Sequence, residues 1–187
     1  MDYETHPTSR AKVRLYAKMF RKLFGLSLYG PVNPIMLLDK VNKVFSDVDY
    51  EIVEEAELPK NVPARCIMTE GSGFIIQIAD YVFEGAYERN TGGYRMHIMH
   101  EILHPYVYKL GFTPIYNRSV QNKKIPPFKS VEWIVKAMAG EIMMPYEETI
   151  GLDEVELIVN YGVSPDAAFK RLKYVEICFF ICYNVTI

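Results

Sequence analysis

Cysteine, histidine and tryptophan are all scarce in this 187-residue chain, with three, four and one occurrences. Cys66, Cys178 and Cys182 form an odd set, with neither zinc-finger spacing nor the density of a disulfide scaffold, which fits a reducing cytoplasm. No apolar run approaches the roughly 20 residues a bilayer-crossing helix needs. The amino terminus starts with acidic and polar residues, and Lys and Arg interrupt its first apolar positions, so it has no signal-peptide core. These absences predict a cytoplasmic protein that neither enters nor crosses a membrane. Charge excess is missing too: 21 basic residues stand against 23 acidic ones, a net charge of -2, without the positive field of a general nucleic-acid binder. What is present is core-forming material, 50% apolar and 13% aromatic, which excludes a disordered chain.

The length suits one buried core with a small appendage. Residues 9–25 place Val13, Tyr16, Phe20, Leu23 and Phe24 at helical spacing with basic residues largely between them, predicting an amphipathic helix stopped near Gly25. A second helix is expected over 34–46, after Gly30, Pro31 and Pro34. The period then changes. YEIVEEAEL, ARCIMTE and GFIIQIAD are short, rich in β-branched residues and separated by Pro and Gly, the pattern of three strands. Helical spacing returns from Gly93, with an expected end or kink at Pro105, which has no N–H to donate. The polar, basic stretch NRSVQNKKIPPFKS reads as a loop, and helices are expected over 131–144, 152–161 and 165–175. EICFFICYNVTI is compatible with helix or strand. Helices flanking a small sheet make an α+β fold.

Two of the four histidines fall in HEILH, residues 100–104. Random placement of four His and 16 Glu in 187 positions would produce this pattern in about 0.7% of chains. Four residues advance a helix by about 400°, so His100 and His104 stack on nearly one face and can converge on one metal ion. Glu101, about 100° away, can reach a water at that ion. A catalytic zinc site needs a third ligand and an open position. Glu132, early in the 131–144 helix, can supply the ligand, and Ala137, Ala139 and Gly140 would let the two helices pack closely. Its position equally suits a carboxylate at the positive end of a helix dipole.

GYRMHIMHEILHP followed by EWIVKAMAGEIMMP resembles the ImmA/IrrE family of metallopeptidases, whose pattern is R-F-T-x-A-H-E-x-x-H and then E-x-x-A-N-x-F-A-x-x-L-L-M-P. Arg95, His100, Glu101 and His104 match the first part. Glu132, Ala139, Met144 and Pro145 match the second without a gap, and VSPDAAFKRL is similar to a helical segment that follows the family's core. Lys136, Met138 and His97 stand where the family usually has Asn, Phe and a small hydroxyl residue. The resemblance implies a zincin-like metallopeptidase domain over residues 1–150, including the amino-terminal helices, and a small helical appendage over 151–187. It implies a Zn²⁺ held by His100, His104 and Glu132, with Glu101 as general base. It also implies an endopeptidase whose protein substrate is a helix-turn-helix transcriptional repressor, with no direct binding to nucleic acid.

Other residues carry weaker expectations. His97, Tyr106 and Tyr108, and less specifically Tyr94, are candidate contacts to substrate or transition state. The strand GFIIQIAD, placed at a sheet edge, could pair with an extended substrate. Cys66 reads as a buried strand residue, with an inhibitory zinc thiolate as the alternative. Cys178 and Cys182 would share a face if the tail is helical. The basic 9–25 helix most simply buries its apolar face and solvates its charges, and Arg118, Lys123, Lys124 and Lys129 could overhang a cleft. Two rival functions remain: a non-catalytic protein-binding module on a zincin scaffold, and a DNA-associated regulator acting through the basic helix.

Overall fold

The computed structural model describes residues 2–115 and 124–184, with side chains described as far as Tyr174. The order of elements is α1 (Arg10–Leu23), α2 (Pro34–Val44), β1 (Val48–Val53), β2 (Ala64–Met68), β3 (Phe74–Ala79), α3 (Asp80–Tyr87), α4 (Gly92–Lys109), α5 (Val131–Met143), α6 (Tyr146–Thr149), α7 (Glu154–Tyr161) and α8 (Pro165–Asn184). The fold is α+β, and the ambiguous tail segment is helical as far as Asn184. Among the described residues, no helix is long and apolar enough to cross a membrane.

Local signals set many of the boundaries. Ser9 caps α1 by accepting from the Lys12 N–H, and Asn33 caps α2 by accepting from Ile35 N–H ahead of Pro34. Asp153 and Glu156 form a reciprocal capping box on α7, which ends at Gly162 with φ +60°.

The sheet order is β1-β3-β2, with β1 parallel and β2 antiparallel to β3. The expected edge strand is therefore the central one. Ile76 pairs with Tyr50 on one side and Cys66 on the other, so the backbone of β3 is committed to both neighbours. Its apolar run, with Phe74, Ile76, Ile78 and Ala79 all buried, suits that central place. The strand left at the cleft edge is β2.

Helices α1 and α4 both pack on α5, around a core that includes Phe20, Leu38, Ile98, Ile102, Leu103, Ile134 and Met138. Ala137 and Ala139 are buried, whereas a Cβ at Gly140 would meet nothing within 4 Å, so Gly140 is not the close-packing residue. Pro105 does not end α4, which continues for four more residues. The carbonyl of Glu101 loses its helical donor, yet the following turn is held by tertiary packing: Val107 is buried and Tyr106 meets Phe20 edge-on at 5.2 Å.

The amphipathic reading of α1 holds for Val13, Ala17, Phe20 and Phe24, all buried, and fails at particular positions. Leu23 is exposed, while Arg21 is 2% exposed and donates to the carbonyls of Ser27, Gly30 and Ile142. Arg10 and Arg14 face the buried Glu141, and Lys18 meets Glu147 at 2.6 Å. Arg10, Arg14 and Arg21 are thus used within the fold, while the Lys18 pair lies at the surface. Glu141 also pairs with Arg171 of α8 at 3.1 Å, and that arginine donates to Thr149 Oγ1. The turn after α7 sits directly on α4, because a Cβ at Gly92 would collide with the backbone of Val163 and Ser164.

Candidate metal centre

The His-Glu-x-x-His segment lies mid-way along α4, with the two imidazoles turned towards the amino-terminal turn of α5. Ser130 caps α5 by accepting from the Trp133 N–H, which starts the helix so that Glu132 faces α4. The Asp2 carboxylate accepts from Ser130 Oγ at 2.9 Å and from the Glu132 N–H at 3.2 Å, fixing the same turn from outside.

Three donor groups converge. The Nε2 atoms of His100 and His104 are 3.2 Å apart, and Glu132 brings Oε2 to 3.2 Å from the first and Oε1 to 3.6 Å from the second. Zinc held tetrahedrally at 2.0–2.1 Å has ligand atoms about 3.3 Å apart, and the two 3.2 Å separations, between the imidazoles and from His100 to Glu132 Oε2, match two edges of such a site. Three lone-pair donors this close also need a shared positive charge, supplied by a proton or by a cation. Burial, reinforced by His100, lowers the His104 pKa to about 4, which leaves its imidazole neutral. The hydrogen bond with His100 opposes burial and lowers the Glu132 pKa to about 2, which keeps it anionic. Exposed Lys136 stands 3.8 Å from that carboxylate.

Glu101 stands further back, its oxygens 4.0 and 3.9 Å from the two Nε2 atoms. Burial raises its pKa to about 7, against the lowering effects of His100 and of the backbone N–H of Cys66. A carboxylate of that basicity can accept a proton near neutral pH.

All four residues open onto a cleft of about 390 Å³. One wall is β2, with Ala64, Arg65, Cys66 and Met68, and the other includes Tyr3, Tyr108 and Pro114. The Cys66 thiol lines the cleft, and burial pushes its pKa up, which holds it as a thiol rather than a thiolate. Among the tyrosines, Tyr108 reaches the cleft, with its ring against Phe74. Tyr106 does not: its hydroxyl donates to the Tyr16 carbonyl at 3.0 Å, on the side of α4 that faces α1. Tyr94 packs on Tyr81 and α3, and His97 is exposed and outside the cleft lining. Lys129 is tied to Glu4 and Lys124 is exposed, neither lining the cleft, while Arg118 and Lys123 lie outside the described residues. The side chains of Cys178 and Cys182 also lie outside the description.

Tyr3 and Asp2 were not foreseen. Their partners lie more than 100 residues away, with Tyr3 donating to the Phe112 carbonyl, and no local pattern marks them.

No family model and no curated protein matches the sequence. Among solved structures, a Mycobacterium tuberculosis transcriptional regulator is similar in fold, with a TM-score of 0.53 and 15% identity over 87% of this chain. This chain spans 46% of that protein, and at this identity the likeness is one of fold alone.

Proposed function

We propose that the protein is a zinc-dependent endopeptidase with a zincin-type centre, acting on a protein substrate through an extended segment. The observation that carries the reading is the convergence of the two imidazole Nε2 atoms, 3.2 Å apart, with the Glu132 carboxylate, whose oxygens lie 3.2 and 3.6 Å from them, beside a second carboxylate with a pKa of about 7. His100, His104 and Glu132 would hold the ion, which when bound supplies Lewis acidity, polarising a carbonyl and acidifying water. Glu101 accepts the proton of the attacking water and returns it to the leaving amine. The free edge of β2 offers backbone donors and acceptors to an extended peptide lying in the cleft. Tyr3 and Tyr108 flank that path. A transcriptional repressor as substrate rests on the motif resemblance alone.

Metal content and cleavage test the two halves separately. Wild type and Glu101→Gln are expected to purify with, or take up, one equivalent of zinc, while Glu132→Ala takes up much less. On co-expression with the product of the neighbouring gene, wild type alone is expected to produce fragments detectable by mass spectrometry. Zinc uptake unaffected by Glu132→Ala would refute the site. Cleavage that persists in Glu101→Gln would refute the base, and zinc binding without any cleavage would leave a non-catalytic binding module.

A further inference from the structure

Across α4 from the metal centre, a groove holds a cation that the proposed reaction does not use. Arg95 precedes His100 by five residues, so the two side chains leave the helix about 140° apart. Arg95 is 8% exposed. Its Nη2 donates to the Val32 carbonyl at 2.7 Å, but its Nε is buried with no hydrogen-bond partner among the described residues. The guanidinium is admitted by Gly162, where a Cβ would collide with Nη1. The groove, about 450 Å³, lies between the start of α2, the first turns of α4 and the end of α7. Among the described residues, Arg95 is the one charged side chain lining it, and Asn33, Asn90 and Asn160 add amides. No charged neighbour contributes to the lowering of the Arg95 pKa, which burial alone causes. A buried guanidinium facing no carboxylate is unfavourable unless something else supplies the counter-charge.

We propose that this groove binds a small oxyanion, a carboxylate or phosphate group, with Arg95 as its counter-charge and the Asn90 and Asn160 amides as flanking donors. The planar guanidinium fork suits either group, and the open mouth admits a larger molecule that carries one. Because the groove joins α2, α4 and α7, an occupant ties together the elements that seat the amino-terminal half of the metal-binding helix. The site stands independently of zinc.

Thermal unfolding of the full chain in EDTA tests it, with inorganic phosphate and acetate as probes and chloride as reference at constant ionic strength. A saturable rise in Tm is expected with at least one probe, about 4 °C at a tenfold excess over Kd, and the two arms show which group is preferred. Asn160→Asp places a carboxylate in the groove. It should raise Tm in chloride and abolish the response to added anion; Asn90→Asp, on the other lip, should do the same. Identical Tm values for wild type in all three salts would overturn the assignment, as would an anion response that survives unchanged in both variants.

Discussion

Replacing Glu101 with Gln should stabilise the metal-free protein while removing the proposed base. The Glu101 carboxyl is buried, and its pKa is raised from 4.5 to about 7. Between those values the folded chain keeps a proton that the unfolded chain has released, so wild-type stability falls as pH rises through this window. Each pKa unit corresponds to about 1.4 kcal/mol, so the ionised side chain costs the fold about 3 kcal/mol above pH 7. Gln keeps the shape and can still accept from the Cys66 N–H, but it carries no charge to bury. The stability difference between Glu101→Gln and wild type should therefore be near zero at pH 4.5 and grow to about 3 kcal/mol by pH 8. The titration of His104, lowered to about 4, is common to both proteins and drops out of the difference. Urea unfolding in EDTA from pH 4.5 to 8 measures it. A difference independent of pH would refute the argument, because burial of the charge could not then be what raises this pKa.

Three further perturbations test the scaffold. Gly92→Ala drives a Cβ into the backbone of Val163 and Ser164, which cannot rotate away, and should cost about 1–3 kcal/mol in urea unfolding. Glu141→Gln leaves the buried Arg171 without its counter-charge and loosens Arg10 and Arg14, so a loss of about 3–5 kcal/mol is expected by the same assay. Pro105→Ala restores a donor to the Glu101 carbonyl within a continuous helix and should raise stability by about 1–3 kcal/mol, with zinc content unchanged.

The first two helices and the three strands were legible because their signals are local: helical spacing from Val13 to Phe24, the turn residues Gly30, Pro31 and Pro34 ahead of α2, and changes of apolar period between segments. The cluster on α4 was legible for the same reason, since a four-residue spacing on a helix dictates a shared face. Elsewhere local signals misled. Pro105 argued for a helix end, but the packing of Tyr106 and Val107 outweighed the missing hydrogen bond. A mostly basic helix argued for solvated charges, but Arg21 found three carbonyls and Arg10 and Arg14 found Glu141. Helix α3 (Asp80–Tyr87), directly after β3, had no capping side chain to announce it.

What sequence alone determined was the chemistry available: two imidazoles and a carboxylate fixed on one helix by its pitch, and an acid at the start of another. Only the tertiary structure decided that Glu132 comes within 3.6 Å of both histidines, that β2 rather than β3 is the edge strand at the cleft, and that Tyr108 faces it while Tyr106 does not. Pitch is a property of the backbone and is readable from spacing. Strand order and helix docking depend on which buried surfaces meet across the whole chain, and no window of sequence contains both partners.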